Sequence, residues 1–274
     1  MKILYISPDI DSGGAENILF NIVKSKGKKD IFLVSLTHLG YYGKKLQDEG
    51  YKIYSLNTKK NLLSILKIFK LYFLILRYKP DIVHTWLYHA NLIGGILSKI
   101  AGVKKIFWSI HHDYEYSNYM MMIEMKILIF LSHCIPCKII FCSSSSKLNH
   151  IKKGYKDSIS EIINNGVSTI MFKPNLEFKR IIRKDLKVSD ECLLLGNISR
   201  YHPIKDHENL FRSLIFLKRF KIDFKCLLIG KGLSINNKNL VLQIKKFNLS
   251  DNIILFGESK EINKLINSLD LDIL

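Results

Sequence analysis

The hydrophobic period changes repeatedly along the chain. Short runs crowded with apolar and β-branched residues recur at 2–6, 31–36, 51–55, 81–85, 105–110, 138–142 and 161–163. Between them lie longer stretches with apolar positions three and four apart, at 15–26, 61–78, 88–101, 119–131 and 147–153. The first pattern predicts strands and the second helices. Strands separated by helices of this length imply βαβ crossovers and a mainly parallel sheet. The alternation pauses at the turn Asn164-Asn165-Gly166-Val167 and at the linker-like Phe172-Lys173-Pro174-Asn175. It resumes with strands at 193–198, 224–229 and 252–256 and helices at 206–220, 238–247 and 261–268. Residues 271–274 read as the opening of another strand. The pattern therefore predicts an α/β protein of two domains, 1–172 and 173–274, with the second sheet incomplete.

Composition narrows the partners. Forty-two Lys and Arg against 24 Asp and Glu give a formal charge of +18, which favours phosphorylated substrates, an anionic membrane surface or nucleic acid. Nucleic acid is set aside, because neither a recognition motif nor a stacking aromatic platform accompanies the charge. No secretory signal opens the chain, and the longest apolar helix candidate, 62–76, is interrupted by Lys67 and Lys70. A cytoplasmic protein is expected, with the inner membrane face as a candidate resting surface. Residues 59–79 mix a broad apolar face with six basic residues, and 120–137 is apolar with Lys126 as its one Lys or Arg. Such helices lie on anionic membranes, although crossover helices on a parallel sheet are apolar as well. The five cysteines include Cys134-Ile135-Pro136-Cys137. That pair ends a helix and precedes a strand, the wrong end for a redox thiol, and it lacks a second ligand pair for zinc.

Three segments carry candidate chemistry. Asp11-Ser12-Gly13-Gly14-Ala15-Glu16 follows the first strand and opens a helix; its glycines permit close backbone approach, and the helix N-terminus offers N–H groups to an anion. Arg200-Tyr201-His202-Pro203-Ile204-Lys205-Asp206-His207 lies at the carboxyl end of the second domain's first strand, the edge where open parallel sheets bind ligands. There a guanidinium fork and an ammonium could together neutralise a diphosphate. His111 leaves an apolar strand at the corresponding edge of the first domain.

In order along the chain, Gly13-Gly14-Ala15-Glu16, Asp81-Ile82-Val83-His84, Trp108-Ser109-Ile110-His111, Asn165-Gly166-Val167 with Phe172-Lys173-Pro174, Arg200 with Lys205-Asp206-His207, and Ile229-Gly230-Lys231-Gly232 resemble the retaining glycosyltransferases of the GT4 group. The resemblance implies a GT-B fold, two Rossmann-like domains facing across a cleft. It implies a nucleotide diphosphate sugar as donor and a glycan or lipid-linked acceptor, with no cofactor. Gly13 and Gly14 would border the donor phosphates and the acceptor, and His111 would contact the transferred sugar. Arg200 and Lys205 would hold the diphosphate, with Gly230 and the loop at Gly257 completing the donor site. The group's pair of glutamates eight residues apart is not found, and the chain ends at Leu274 where the strand before that pair would begin. A truncated or split product is therefore expected, with a non-catalytic remnant of the fold as the alternative. Asp9-Ile10-Asp11 and Asp270-Leu271-Asp272 spell the Asp-x-Asp of metal-dependent transferases, but they are read as turn and strand-edge acids, and no metal is expected.

Overall fold

The computed structural model describes residues 1–58, 63–112 and 119–273. Lys59, Lys60, Asn61, Leu62 and Leu274, which the sequence reading uses, lie outside them. The chain divides into two compact units, Met1–Gly166 and Val167–Leu274. The division falls directly after the Asn-Asn-Gly turn, whereas the sequence reading puts its boundary after Phe172.

The first unit runs β1 (Ile3–Ser7), α1 (Gly14–Lys26), β2 (Ile31–Ser35), α2 (Gly40–Asp48), β3 (Lys52–Ser55), α3 (Leu63–Tyr78), β4 (Ile82–Trp86), α4 (Tyr88–Ile100), β5 (Lys105–Ile110), α5 (Tyr119–Leu131), β6 (Lys138–Phe141), α6 (Ser144–Lys152) and β7 (Ser160–Ile162). Its seven strands lie in the order β3-β2-β1-β4-β5-β6-β7, all paired in parallel. The order reverses between β1 and β4, so the loops leaving these two strands part at their carboxyl ends and open a crevice there. Side chains alternate across the sheet with period two. Leu4 and Ile6 join Phe32, Val34 and Val83 against Leu71 and Ile75 of α3. Tyr5, Leu33 and Trp86 face the other way, against Leu19 and Phe20 of α1 and Leu46 of α2.

The second unit runs α7 (Leu176–Asp185), β8 (Leu193–Ile198), α8 (His207–Arg219), β9 (Phe224–Ile229), α9 (Lys238–Lys246), β10 (Ile253–Gly257), α10 (Ile262–Leu265) and β11 (Leu271–Asp272). Its four parallel strands have the order β10-β9-β8-β11.

Two helices escape the periodicity analysis. In α2 only Gly43 and Leu46 are buried, too few positions to mark a face. In α7 the buried anchor is Arg183, a residue that apolar patterning counts as surface. Asn175 caps this helix, its Oδ1 accepting from the N–H groups of Glu177 (2.9 Å) and Phe178 (3.0 Å). The Arg183 guanidinium then donates to the carbonyls of Ser189 (2.6 Å) and Ser268 (3.2 Å) and pairs with Asp270 at 3.0 Å. Asp270 also accepts from the Leu194 N–H at 2.9 Å and from Lys179 at 2.8 Å. Burial opposes ionisation of this carboxyl, but Lys179, the Leu194 N–H and Arg183 outweigh it and hold the pKa at about 2. Asp270 thus fastens α7 to the start of β11.

Candidate functional site

In the first unit the site is built where β1, β4 and β5 end. The turn after β1 is tied down by its own acids. Asp11 N–H donates to Asp9 Oδ1 at 3.2 Å, and Asp11 Oδ1 accepts from Tyr41 N–H at 3.1 Å. His38 Nε2 stands 3.7 Å from the other Asp11 oxygen. Burial would raise the Asp11 pKa, but the N–H groups of Tyr41 and Ser12 and the side chain of His38 bring it below the usual carboxylate value. Among the described residues no cluster of His, Cys, Asp and Glu could hold a metal ion.

Gly13 is the N-cap of α1, and the space beside it is filled by the chain's own Glu16. A Cβ on Gly13 would stand 1.9 Å from a Glu16 carboxylate oxygen, while one on Gly14 would meet nothing within 4 Å. A carboxylate in a helix's first turn is favoured by the helix dipole. The anion nearest this turn is therefore internal, and the open side of the turn is at Gly14.

His111 follows β5 and stacks on Trp86, with ring centroids 4.4 Å apart and planes at 25°. Neither ring nitrogen finds a hydrogen-bond partner of normal geometry. Burial and then the neighbouring His112 push its pKa down to about 4, with the Asn165 side chain opposing. Behind this stack lies His84, with its centroid 5.2 Å from that of Trp86 and its Nε2 2.7 Å from Ser109 Oγ. Burial, then the charge on His111, lowers the His84 pKa to about 3. Both rings are neutral at pH 7. Both His111 ring nitrogens are buried and unpartnered, so the imidazole holds unused hydrogen-bonding capacity but brings no charge.

The second unit presents a different edge. Beyond β8 the chain passes through Ser199 and Arg200 to a single 3-10 turn at Pro203–Lys205. It then enters α8 at Asp206, whose φ of +43° is left-handed and whose Oδ1 accepts from Asn209 N–H at 3.3 Å. His207, the first residue of α8, is buried, and its Nε2 lies 3.2 Å from Ser199 Oγ. Ser199 Oγ in turn donates to Asn197 Oδ1 at 2.7 Å. Burial, then Lys205, depresses the His207 pKa, against the pull of Asp206. Gly230 leaves β9 with φ +143°, and a Cβ there would stand 1.9 Å from the Ser199 carbonyl oxygen. Its N–H donates to the Gly257 carbonyl at 2.8 Å, and Tyr201 N–H to that of Lys231 at 2.8 Å.

The structure thus brings Arg200, Gly230 and Gly257 together across three neighbouring strand ends. Lys205, in the same loop as Arg200, lines a groove of about 340 Å³ beside Asn197, Asp206 and Asn209. Arg200 and Lys205 are exposed, and among the described residues neither charged group has a partner. The sequence reading overlooks Trp86 and Ser199, and it gives the buried His207 no role. Trp86 shares a sheet face with Tyr5 and His84, a placement that depends on the pairing of β1 with β4.

Comparison with known proteins gives this geometry a family. Residues 12–170, more than half of the chain, match the profile of Glycosyltransferase Family 4. The EpsF protein of Bacillus subtilis is 19% identical over 282 residues, covering 98% of this chain and 72% of its own length. The UDP-Gal:alpha-D-GlcNAc-diphosphoundecaprenol alpha-1,3-galactosyltransferase of Escherichia coli is 22% identical over 237 residues, covering 83% of this chain and 61% of its own. HepE of Anabaena, solved with UDP-glucose, matches with a TM-score of 0.85 at 20% identity over 99% of this chain and 73% of its own. That likeness bears on the fold, which is GT-B: parallel sheets of seven and four strands in two Rossmann-like halves, the second smaller. With strand ends, glycine turns and basic loop arranged on this scaffold, the chain belongs to Glycosyltransferase Family 4.

Proposed function

We propose that this chain moves a sugar from a nucleotide diphosphate sugar to a glycan or lipid-linked acceptor, with retention and without a metal ion, in the assembly of cell-surface polysaccharide. Residues 1–172 are read as the acceptor domain and 173–274 as the nucleotide-sugar domain. The observation that carries the proposal is the pair of unpartnered cations, Arg200 and Lys205, on the strand-end edge of the second unit. As the bond from the anomeric carbon to the diphosphate breaks, its electron pair stays on the phosphate oxygen. A guanidinium fork and an ammonium stabilise that growing charge. The close backbone at Gly230 and Gly257 leaves room for the nucleotide, Gly13 and Gly14 border its phosphates and the acceptor, and neutral His111 bonds a hydroxyl of the transferred sugar. UDP-glucose bound to HepE and the diphosphoundecaprenol in the name of the E. coli relative support this choice of donor and acceptor.

Titration calorimetry with UDP and UDP-glucose in EDTA tests the donor site. Arg200→Ala and Lys205→Ala should each weaken binding by about 10–100-fold, the value of a charge-assisted contact, while leaving the melting temperature unchanged because both side chains are exposed. Wild-type affinity in the double variant would remove the site from consideration. A wild-type chain that neither binds UDP-glucose nor transfers sugar would favour the alternative, a non-catalytic GT-B remnant serving as a binding or membrane-associated protein.

One surface favours attachment to an anionic inner membrane face. In α3, Leu66, Phe69 and Phe73 are each more than half exposed and share one stripe. In α5, Tyr119, Met120 and Phe130 are exposed to a similar degree. Contacts from α3 to α4 and from α4 to α5 put these stripes on one side of the sheet. Lys67 bonds back to the Asn57 carbonyl, and Lys70 lies 4.8 Å from the centre of the Tyr54 ring. Among the described residues no helix is long and apolar enough to cross a membrane. An apolar stripe flanked by bases suits adsorption at the headgroup level. Replacing Lys67 and Lys70 by Glu, or Phe69 and Phe73 by Ser, should abolish co-sedimentation with anionic vesicles. Unchanged sedimentation of both variants would exclude this face.

A further inference from the structure

We propose that Trp86 is a positioning residue that couples the Gly13-Gly14 turn to His111, holding both in register for the sugar; the proposal rests on the transfer reading above. Trp86 is the last residue of β4 and is 1% exposed, so it acts on a ligand only through its neighbours. It has two of them. Its indole N–H donates to the Ala15 carbonyl at 3.1 Å, in the first turn of α1, directly after the two glycines. Its ring is the plate on which His111 stacks at 4.4 Å. One rigid side chain therefore spans the strand ends that carry the first unit's two candidate contacts.

Core packing would account for the burial of an indole here, but not for the backbone that follows it. Leu87 has φ +69° and ψ 167°, a region that is essentially glycine's and costs a side chain about 1–3 kcal/mol. The residue is held there because its N–H donates to the Ser109 carbonyl at 2.9 Å and its side chain is buried. This strained exit fixes the end of β4, and with it the Trp86 ring, against β5. Tyr5 and His84 close the stack from behind, with their centroids 5.6 Å apart, and Ser109 holds His84 from the side. The titratable groups around the indole are thus Tyr5, His84 and His111, with His112 beyond.

The proposal makes separate claims for the indole N–H and for its ring, and two variants divide them. Trp86→Phe keeps a ring under His111 and loses the bond to Ala15. Trp86→Leu loses both. The first readout is the His111 imidazole titration followed by NMR in the whole chain without ligand, assigned with His111→Asn. It should be unchanged in Trp86→Phe and move upward, toward 6.5, in Trp86→Leu. The second is sugar transfer. The turnover number should fall about 10-fold in Trp86→Phe and about 100-fold in Trp86→Leu, the cost of misplacing reacting groups by an ångström or so, with UDP affinity within twofold of wild type. A Trp86→Leu protein that folds and leaves the His111 titration and turnover unchanged would overturn the proposal. If Trp86→Leu does not fold, undiminished turnover in Trp86→Phe would still refute the coupling to the turn. A wild-type chain that transfers no sugar would sink the transfer reading, while the NMR arm would still decide whether Trp86 holds His111.

Discussion

In the first unit the edge of the sheet that follows the Gly-Gly turn is lined with rings, whereas in the second unit the corresponding edge is lined with glycine backbone and unpartnered cations. His84, Trp86 and His111 stack in a neutral, half-dry row, and the nearest anion, Glu16, already lies over Gly13. Around Arg200 the side chains are exposed, and the close contact is backbone on backbone, Gly230 against Ser199. A neutral, fixed edge recognises hydroxyls by direction, since hydrogen bonds from uncharged groups depend on geometry. A cationic, open edge recognises phosphate by charge, which tolerates looser geometry. The same sheet edge, used twice, is thereby fitted for two kinds of ligand.

The largest test of that contrast is a single methyl group placed on each edge. Gly230→Ala puts a Cβ 1.9 Å from the Ser199 carbonyl oxygen at a φ of +143°, so the backbone of the donor loop has to move. A cost of about 3 kcal/mol is expected, visible as a fall of about 10 °C or more in the melting temperature. Gly14→Ala meets nothing within 4 Å and should leave stability within about 0.5 kcal/mol of wild type. Equal melting temperatures for the two variants would show that the second edge is not built on close backbone approach.

The fold class was legible because alternation between strand and helix periods needs no knowledge of contacts, and the parallel sheets are those it implies. What escaped depends on long-range partners. The helix Leu176–Asp185 is anchored by a buried arginine two of whose partners, Ser268 and Asp270, lie more than eighty residues away. The helix Gly40–Asp48 buries too little to show a period. At the candidate site the glycines and the basic loop were readable from their places after strands. Trp86 was not, since its meaning comes from register: β1 pairs with β4 and β4 with β5, which brings Ala15 and His111 to one indole. Likewise the filling of the Gly13 turn by Glu16 is a rotamer, invisible in the sequence.

A smaller effect separates the units by pH. His84 and His111 have pKa values lowered from 6.5 to about 3 and about 4. Between those values and 6.5 the unfolded chain binds protons that the folded chain refuses, so stability is complete above about 6.5 and declines as the pH falls. The second unit has one histidine of this kind, His207, also lowered by burial. Its Asp270 works in a lower window, contributing above the ordinary carboxylate pKa and losing its contribution only as the pH approaches about 2. Acidification from pH 7 to 5.5 should therefore cost the first unit more, on the order of 1–2 kcal/mol. NMR titration of the imidazoles checks the cause directly, with thermal melts at the two pH values alongside. His84 and His111 should stay largely unprotonated above pH 5, and His111→Asn should flatten the pH dependence of melting. Ordinary titration near pH 6.5 for both rings would mean that the first edge is wet and mobile, and that its recognition is not the directional kind assigned to it.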